Sequence, residues 1–150
     1  MSGNAYSTQR QTPAGSDLGL LNLTGNGTIQ IKLYDLIIGS DATPADLAGE
    51  FILNRSTTDG VGGTSVTPNP LDPQTVAASA TGFGGAFSTT EPVDGTDLLM
   101  IALNQRATFR WVAAPGSELV SPATNNNGLF LRSVAHGGTP NINVTMLHRE

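Results

Sequence analysis

Two histidines, His136 and His148, and no cysteine are available for nucleophilic or metal chemistry in this chain. A zinc site takes three or four nitrogen, sulfur or carboxylate ligands, more than two separated imidazoles supply. His136 lies in a glycine loop, and His148 shares a face with Met146 in a closing apolar/polar run. Both read as surface or interface imidazoles. Asp41, Asp46 and Asp59 fall in loop sequence, and Asp94 and Asp97 flank a turn. Such oxygens can bind calcium, and a pair of carboxyl groups can cleave a glycosidic bond. The spacing matches no EF-hand, and aspartate is favoured in turns because its side chain bonds its own backbone. Glu50, Glu91 and Glu118 complete the candidates for a catalytic acid pair, whose separation the spacing does not fix. Trp111, with Tyr34 and Tyr6, could form a sugar-stacking platform; because Trp111 shares a face with Phe109, it is expected in the core instead. No phosphate-binding loop, dinucleotide glycine motif, H-E-x-x-H or G-x-S-x-G is present. No catalytic residue, metal or cofactor is expected.

The elements that carry these residues announce themselves by period-two alternation. Thr28 to Tyr34, Ala107 to Val112 and Asn141 to Met146 each alternate apolar with polar residues, which gives a strand one face for a core and one for water. Glycine, proline, asparagine and aspartate clusters separate the runs. The pattern predicts an all-β fold, an antiparallel two-sheet sandwich, jelly-roll-like, with an extended N-terminal arm over residues 1–17 and the sandwich over 18–150. Leu18 to Leu23 reads as a first edge strand. Thr43 to Leu47 and Thr75 to Ala80 read as short helical turns. The continuous apolar run Leu98 to Leu103 reads as a central, doubly covered strand. The proline-rich stretch Thr67 to Thr75 suits a connection crossing between sheets.

Composition narrows the function further. The chain carries 13% charged residues and a net charge of −5, against about 25% charged in an average domain. Lys32 is the only lysine. Its polar residues are threonine, serine, asparagine and glycine, as at a surface that meets protein, where lysine and glutamate are depleted; a neutral β-surface accounts for the same composition. Scattered, outnumbered cations argue against nucleic acid. No apolar stretch reaches the ~20 residues needed to span a bilayer. Residues 1–15 have no apolar core, so no signal peptide is expected. The sequons at Asn22, Asn26, Asn54 and Asn143 reflect Asn/Thr richness.

The strings IQIKLYDLIIGSDATPADLAGEFILNRSTTDG, between residues 28 and 60, and TFRWVAAPGSELVSPATNNNGLFLRS, between 107 and 133, resemble small virion proteins of tailed bacteriophages. The closest family is the head decoration, or cement, proteins. The resemblance implies a β-sandwich or jelly roll on the capsid exterior, assembled as a homotrimer and attached to the major capsid protein, without cofactor. It carries over no binding residue. The expected contacts are Tyr6, Gln9, Arg10 and Gln11 in the N-terminal arm, with Met146 and His148 of the last strand in subunit packing. The alternative is a carbohydrate- or receptor-binding sandwich of a virion tail or fibre. A small hydrolase using loop carboxylates is a third reading.

Overall fold

The computed structural model describes residues 3–13, 17–41, 43–85 and 87–150. The remaining residues of the expected arm, 1–2 and 14–16, lie outside that set. The alternating runs become strands β1 (Ala5–Pro13), β2 (Leu18–Asn26), β3 (Lys32–Asp41), β4 (Ala48–Thr58), β5 (Thr64–Val66), β6 (Asn69–Pro70), β7 (Thr81–Gly84), β8 (Val93–Asn104), β9 (Phe109–Val112), β10 (Leu119–Val120), β11 (Asn125–His136) and β12 (Asn141–Arg149). One sheet, here sheet A, runs β6-β1-β12-β3, with β9 and β10 both pairing β3 at its far edge. The second, sheet B, runs β5-β7-β2-β11-β4-β8. The protein is an antiparallel two-sheet β-sandwich.

The connectivity is that of one long hairpin rolled up. The first four strands pair with the later ones as β1–β12, β2–β11, β3–β9 and β4–β8. The seams β3–β12 and β4–β11 close the roll. This is jelly-roll-like wrapping, and it puts β1 to β4 alternately in sheets A and B. Alternation then decides the interior. Leu21, Leu23, Phe51, Leu53, Leu129 and Leu131 of sheet B face Leu33, Leu36, Ile38, Ile142, Val144 and Met146 of sheet A, all essentially inaccessible. Truncating any of these leucines to alanine costs about 2–5 kcal/mol. Phe109 and Trp111 pair with Ile38 and Leu36 and pack partly buried on the same core.

Several sequence expectations are corrected. Leu18 to Leu23 is not an edge strand: β2 lies between β7 and β11, buried on both faces. Leu98 to Leu103 is not central: β8 is an edge of sheet B and pairs with β4 alone among the described residues. Local hydrophobicity reports burial of a side chain, and strand order is set by partners far away in sequence. No helix forms among the described residues. The segment after β3 is held instead by Gln105, whose Oε1 accepts the Ala45 N–H at 2.9 Å and whose N–H donates to the Leu47 carbonyl at 2.9 Å. The Thr67 to Thr75 stretch does cross between sheets, since β5 belongs to sheet B and β6 to sheet A.

Residues 5–13 of the expected arm are extended, but as β1, an interior strand of sheet A between β12 and β6. Its composition conceals this, because the inward positions after Tyr6 are the polar Thr8, Arg10 and Thr12. Thr8 and Thr12 are fully buried. Thr12 resolves its burial by donating to the Leu20 carbonyl at 3.2 Å and accepting the Gly85 N–H at 3.2 Å, which ties the two sheets together.

Candidate functional site

The six residues expected to bind partners divide between three environments. Tyr6, Met146 and His148 point inward and are at most 1% exposed. They lie in register on β1 and β12, Tyr6 opposite His148. The Tyr6 and His148 rings stack with centroids 5.6 Å apart. The Tyr6 hydroxyl donates to the Val76 carbonyl at 3.1 Å. Glu150 lies two residues beyond His148, on the same face by parity, and its carboxylate accepts the Ser79 and Ala80 N–H groups at 2.8 and 3.0 Å. His148 Nε2 sits 3.5 Å from the Glu150 Oε1. Burial works to raise the Glu150 pKa, but the imidazole and the two N–H groups outweigh it and hold the carboxyl below its usual range. The cluster is a clamp that fastens residues 76–80 to the end of the sandwich, so these side chains serve packing, not contact.

Arg10 also points inward, between the sheets. It lies against Gly84 and Gly85, and its Nη2 reaches Thr64 Oγ1 at 3.4 Å. Only Gln9 and Gln11 remain on the solvent side. There they belong to a broader surface that the sequence reading did not assemble. The outward face of sheet A presents Ser7, Gln9 and Gln11 of β1 beside Leu147, Thr145 and Asn143 of β12, which in turn adjoin Asp35, Ile37 and Gly39 of β3. It is a field of amides, hydroxyls and apolar side chains, indented between Gln9, Gln11, Asn143 and Thr145. Among its charges, Arg110 clasps Asp35 with two nitrogens, the closer at 2.5 Å, Arg149 lies over the Tyr34 ring, 5.2 Å from its centroid, and Lys32, opposite Arg149, is exposed. The Asp35 carboxylate is the first cause that raises the Arg110 pKa.

Carboxylates do converge beside sheet B. Asp17, Glu91 and Asp94 line a pocket of about 100 Å³ on the outer side of sheet B, with Arg132 between them. Arg132 bonds Asp17 at 2.6 Å and Asp94 at 3.0 Å. Burial raises the Glu91 pKa, and the negative charges of Asp17 and Asp94 add to it, against a lowering by the Gly19 N–H. A carboxyl held above its usual range beside two others is the arrangement an acid–base pair uses. The space is small, however: ligand pockets run to roughly 300–1,000 Å³, and Arg132 already occupies both aspartates. The group fastens the segment before β8 onto sheet B. Phe87 of that segment closes over the sheet, its ring edge-on to Phe130 with centroids 6.2 Å apart. Gly60 and Gly63 let their backbones pass against the Phe87 ring where a Cβ would collide.

Trp111, the other sugar-binding candidate, turns to the core, and His136 packs edge-on to Phe51 at 5.6 Å. Among the described residues no cluster of three or more His, Asp or Glu is placed to hold a metal ion. No helix among the described residues is long and apolar enough to cross a membrane. The residues missed by sequence reasoning are Glu150, Arg132 and Gln105. Parity with His148 could have found Glu150; the other two act through distant partners. No family model, curated protein or solved structure matches this chain.

Proposed function

We propose that the protein is a virion structural protein without catalytic activity. On this reading it is a decoration (cement) protein that binds the outside of the major capsid protein shell of a tailed bacteriophage and stabilises it, working as a homo-oligomer, with homotrimers as the grouping. The observation that carries the reading is the outward face of sheet A, a broad field of amides and hydroxyls on a sandwich whose convergent aspartates, Asp17 and Asp94, are held by Arg132. A broad face of amides and hydroxyls suits repeated docking on a lattice, where many modest contacts add through avidity. The low charge and near absence of lysine fit the same use. The resemblance of residues 28–60 and 107–133 to head decoration proteins supplies the partner.

The test is co-sedimentation with undecorated heads of the cognate phage. Gln9 and Thr145 sit opposite each other on the docking face. The pair Gln9→Lys and Thr145→Lys adds two charges to a surface that would be desolvated on docking. Shell occupancy is expected to fall at least tenfold with the melting temperature unchanged. Unchanged occupancy would remove this face from the role. The second reading, a carbohydrate- or receptor-binding module, draws on the same rows of amides and hydroxyls, which offer donors and acceptors to sugar hydroxyls. Glycan binding that the same substitutions abolish, without any binding to heads, would favour it.

A further inference from the structure

We propose that two copies of the protein join through the free edge of β8, antiparallel about a two-fold axis at Ile101, so that sheet B continues from one protomer into the next. An edge strand offers unpaired N–H and C=O groups to any second strand, and folded proteins blunt such edges with bulges, charge, proline or brevity. The described edges of this sandwich mostly follow that rule. β5 has three residues and β6 two, while the far edge of β3 is taken by β9 and β10. β8 itself is blunted along its first half only. There it carries Asp94, Gly95 and Asp97, and its register with β4 breaks three times between Leu99 and Val93. From Leu99 to Asn104 the register runs without a break, Leu99 opposite Leu53 and Asn104 opposite Ala48. The stretch Leu98–Asn104 contains no charge, no proline and no lysine.

The side chains show what this half-edge is suited to receive. On the inner side Leu98, Leu99 and Leu103 are only partly buried against the core, although Ile101 between them is 5% exposed. On the outer side Met100 is 68% exposed and Ala102 is exposed. A copy of the same strand completes both faces. Antiparallel partners must match inside with inside, which requires the two-fold to pass through a residue and not between residues. An axis at Ile101 uses the unbroken stretch from Leu99 to Leu103 in both copies. It sets Leu99 against Leu103 and Ile101 against its own copy on the core side, and Met100, large, against Ala102, small, on the outer side. No like charges face each other, the condition that cross-strand pairing needs.

Light scattering over a concentration series tests the proposal. Masses at even multiples of the 15.5 kDa protomer, falling to the protomer on dilution, are expected; two-fold joining of trimers would give six copies. A protomer at every concentration, or a trimer with no larger species, would overturn it. The double substitution Met100→Lys with Ala102→Lys puts lysine opposite lysine twice across the axis at positions exposed in the protomer, and is expected to weaken pairing at least tenfold. Met100→Glu with Ala102→Lys places opposite charges there and should restore it. Pairing that survives the first variant, or stays lost in the second, overturns the Ile101 register and the proposal with it. Amide exchange of residues 98–104 in the unaltered protein gives an independent reading: protection should grow with concentration, and its independence of concentration would count against the edge. Shell binding by a protein that never pairs would leave the capsid role intact, so the two readings fail separately.

Discussion

At the scale of single residues the informative group is Glu150. Its folded-state pKa lies below the usual glutamate value because the His148 imidazole and the Ser79 and Ala80 N–H groups prevail over burial. A lowered carboxyl pKa adds stability that is complete above the unfolded-state value and is lost as pH falls through the folded-state value. Acidification therefore should release residues 76–80 before the sandwich melts. Glu91 has the opposite sign: its raised pKa makes it a source of instability at neutral pH that protonation relieves. The difference between the parent protein and Glu150→Gln isolates the first effect. The variant is expected to be less stable by about 1 kcal/mol at neutral pH, where a charged acceptor is replaced by a neutral one, and the gap should close in acid. A gap that widens on acidification would show that the carboxylate is not the anchor. Thermal melts at a series of pH values measure it. Glu150 and His148 also show what could be read in advance, since the two-residue spacing places them on one face whatever their partners are.

At the scale of elements, period two was enough to locate most strands and not enough to order them. Phe51, Leu53, Leu129, Leu131 and Trp111 face inward as their parity requires. β2 and β8 exchange the edge and interior positions expected of them, because a run such as Leu98–Leu103 can come from a bulge at Leu98 as readily as from cover on both sides. The outer cover of sheet B was equally hidden. Its centre is Phe87, in the segment between β7 and β8, whose seat is built by Phe130 and by Gly60 and Gly63, from two distant parts of the chain. Phe87→Ala removes a ring that is 8% exposed and should cost about 3 kcal/mol. Because that segment leads into β8, proteolysis between residues 85 and 93 should quicken in the variant. A loss below about 1 kcal/mol would mean that the cover is not held by its aromatic contact.

At the scale of the whole molecule, the question is whether the first strand is an appendage or part of the roll. A polar segment with glutamine, serine and proline reads as an arm when judged by hydropathy alone. In the sandwich it is β1, joined to β12 along nine residues from Ala5–Arg149 to Pro13–Asn141. Its inner side chains Tyr6, Thr8 and Thr12 complete the packing over Val144 and Met146 and the tie to β2. Removing residues 1–13 would open the β12 edge, strip the clamp on residues 76–80 of its tyrosine and expose one flank of the core. Each buried large side chain contributes about 1.5–3 kcal/mol, and a whole domain is stable by only about 5–15 kcal/mol, so the loss of one interior strand is comparable with the total. The truncated chain is expected to lose its cooperative melt and its β circular dichroism, whereas a chain shortened by residues 1–3 alone keeps both. A folded chain lacking residues 1–13 would mean that β12 can serve as an edge and that the first strand is free to leave the sheet and reach a neighbour.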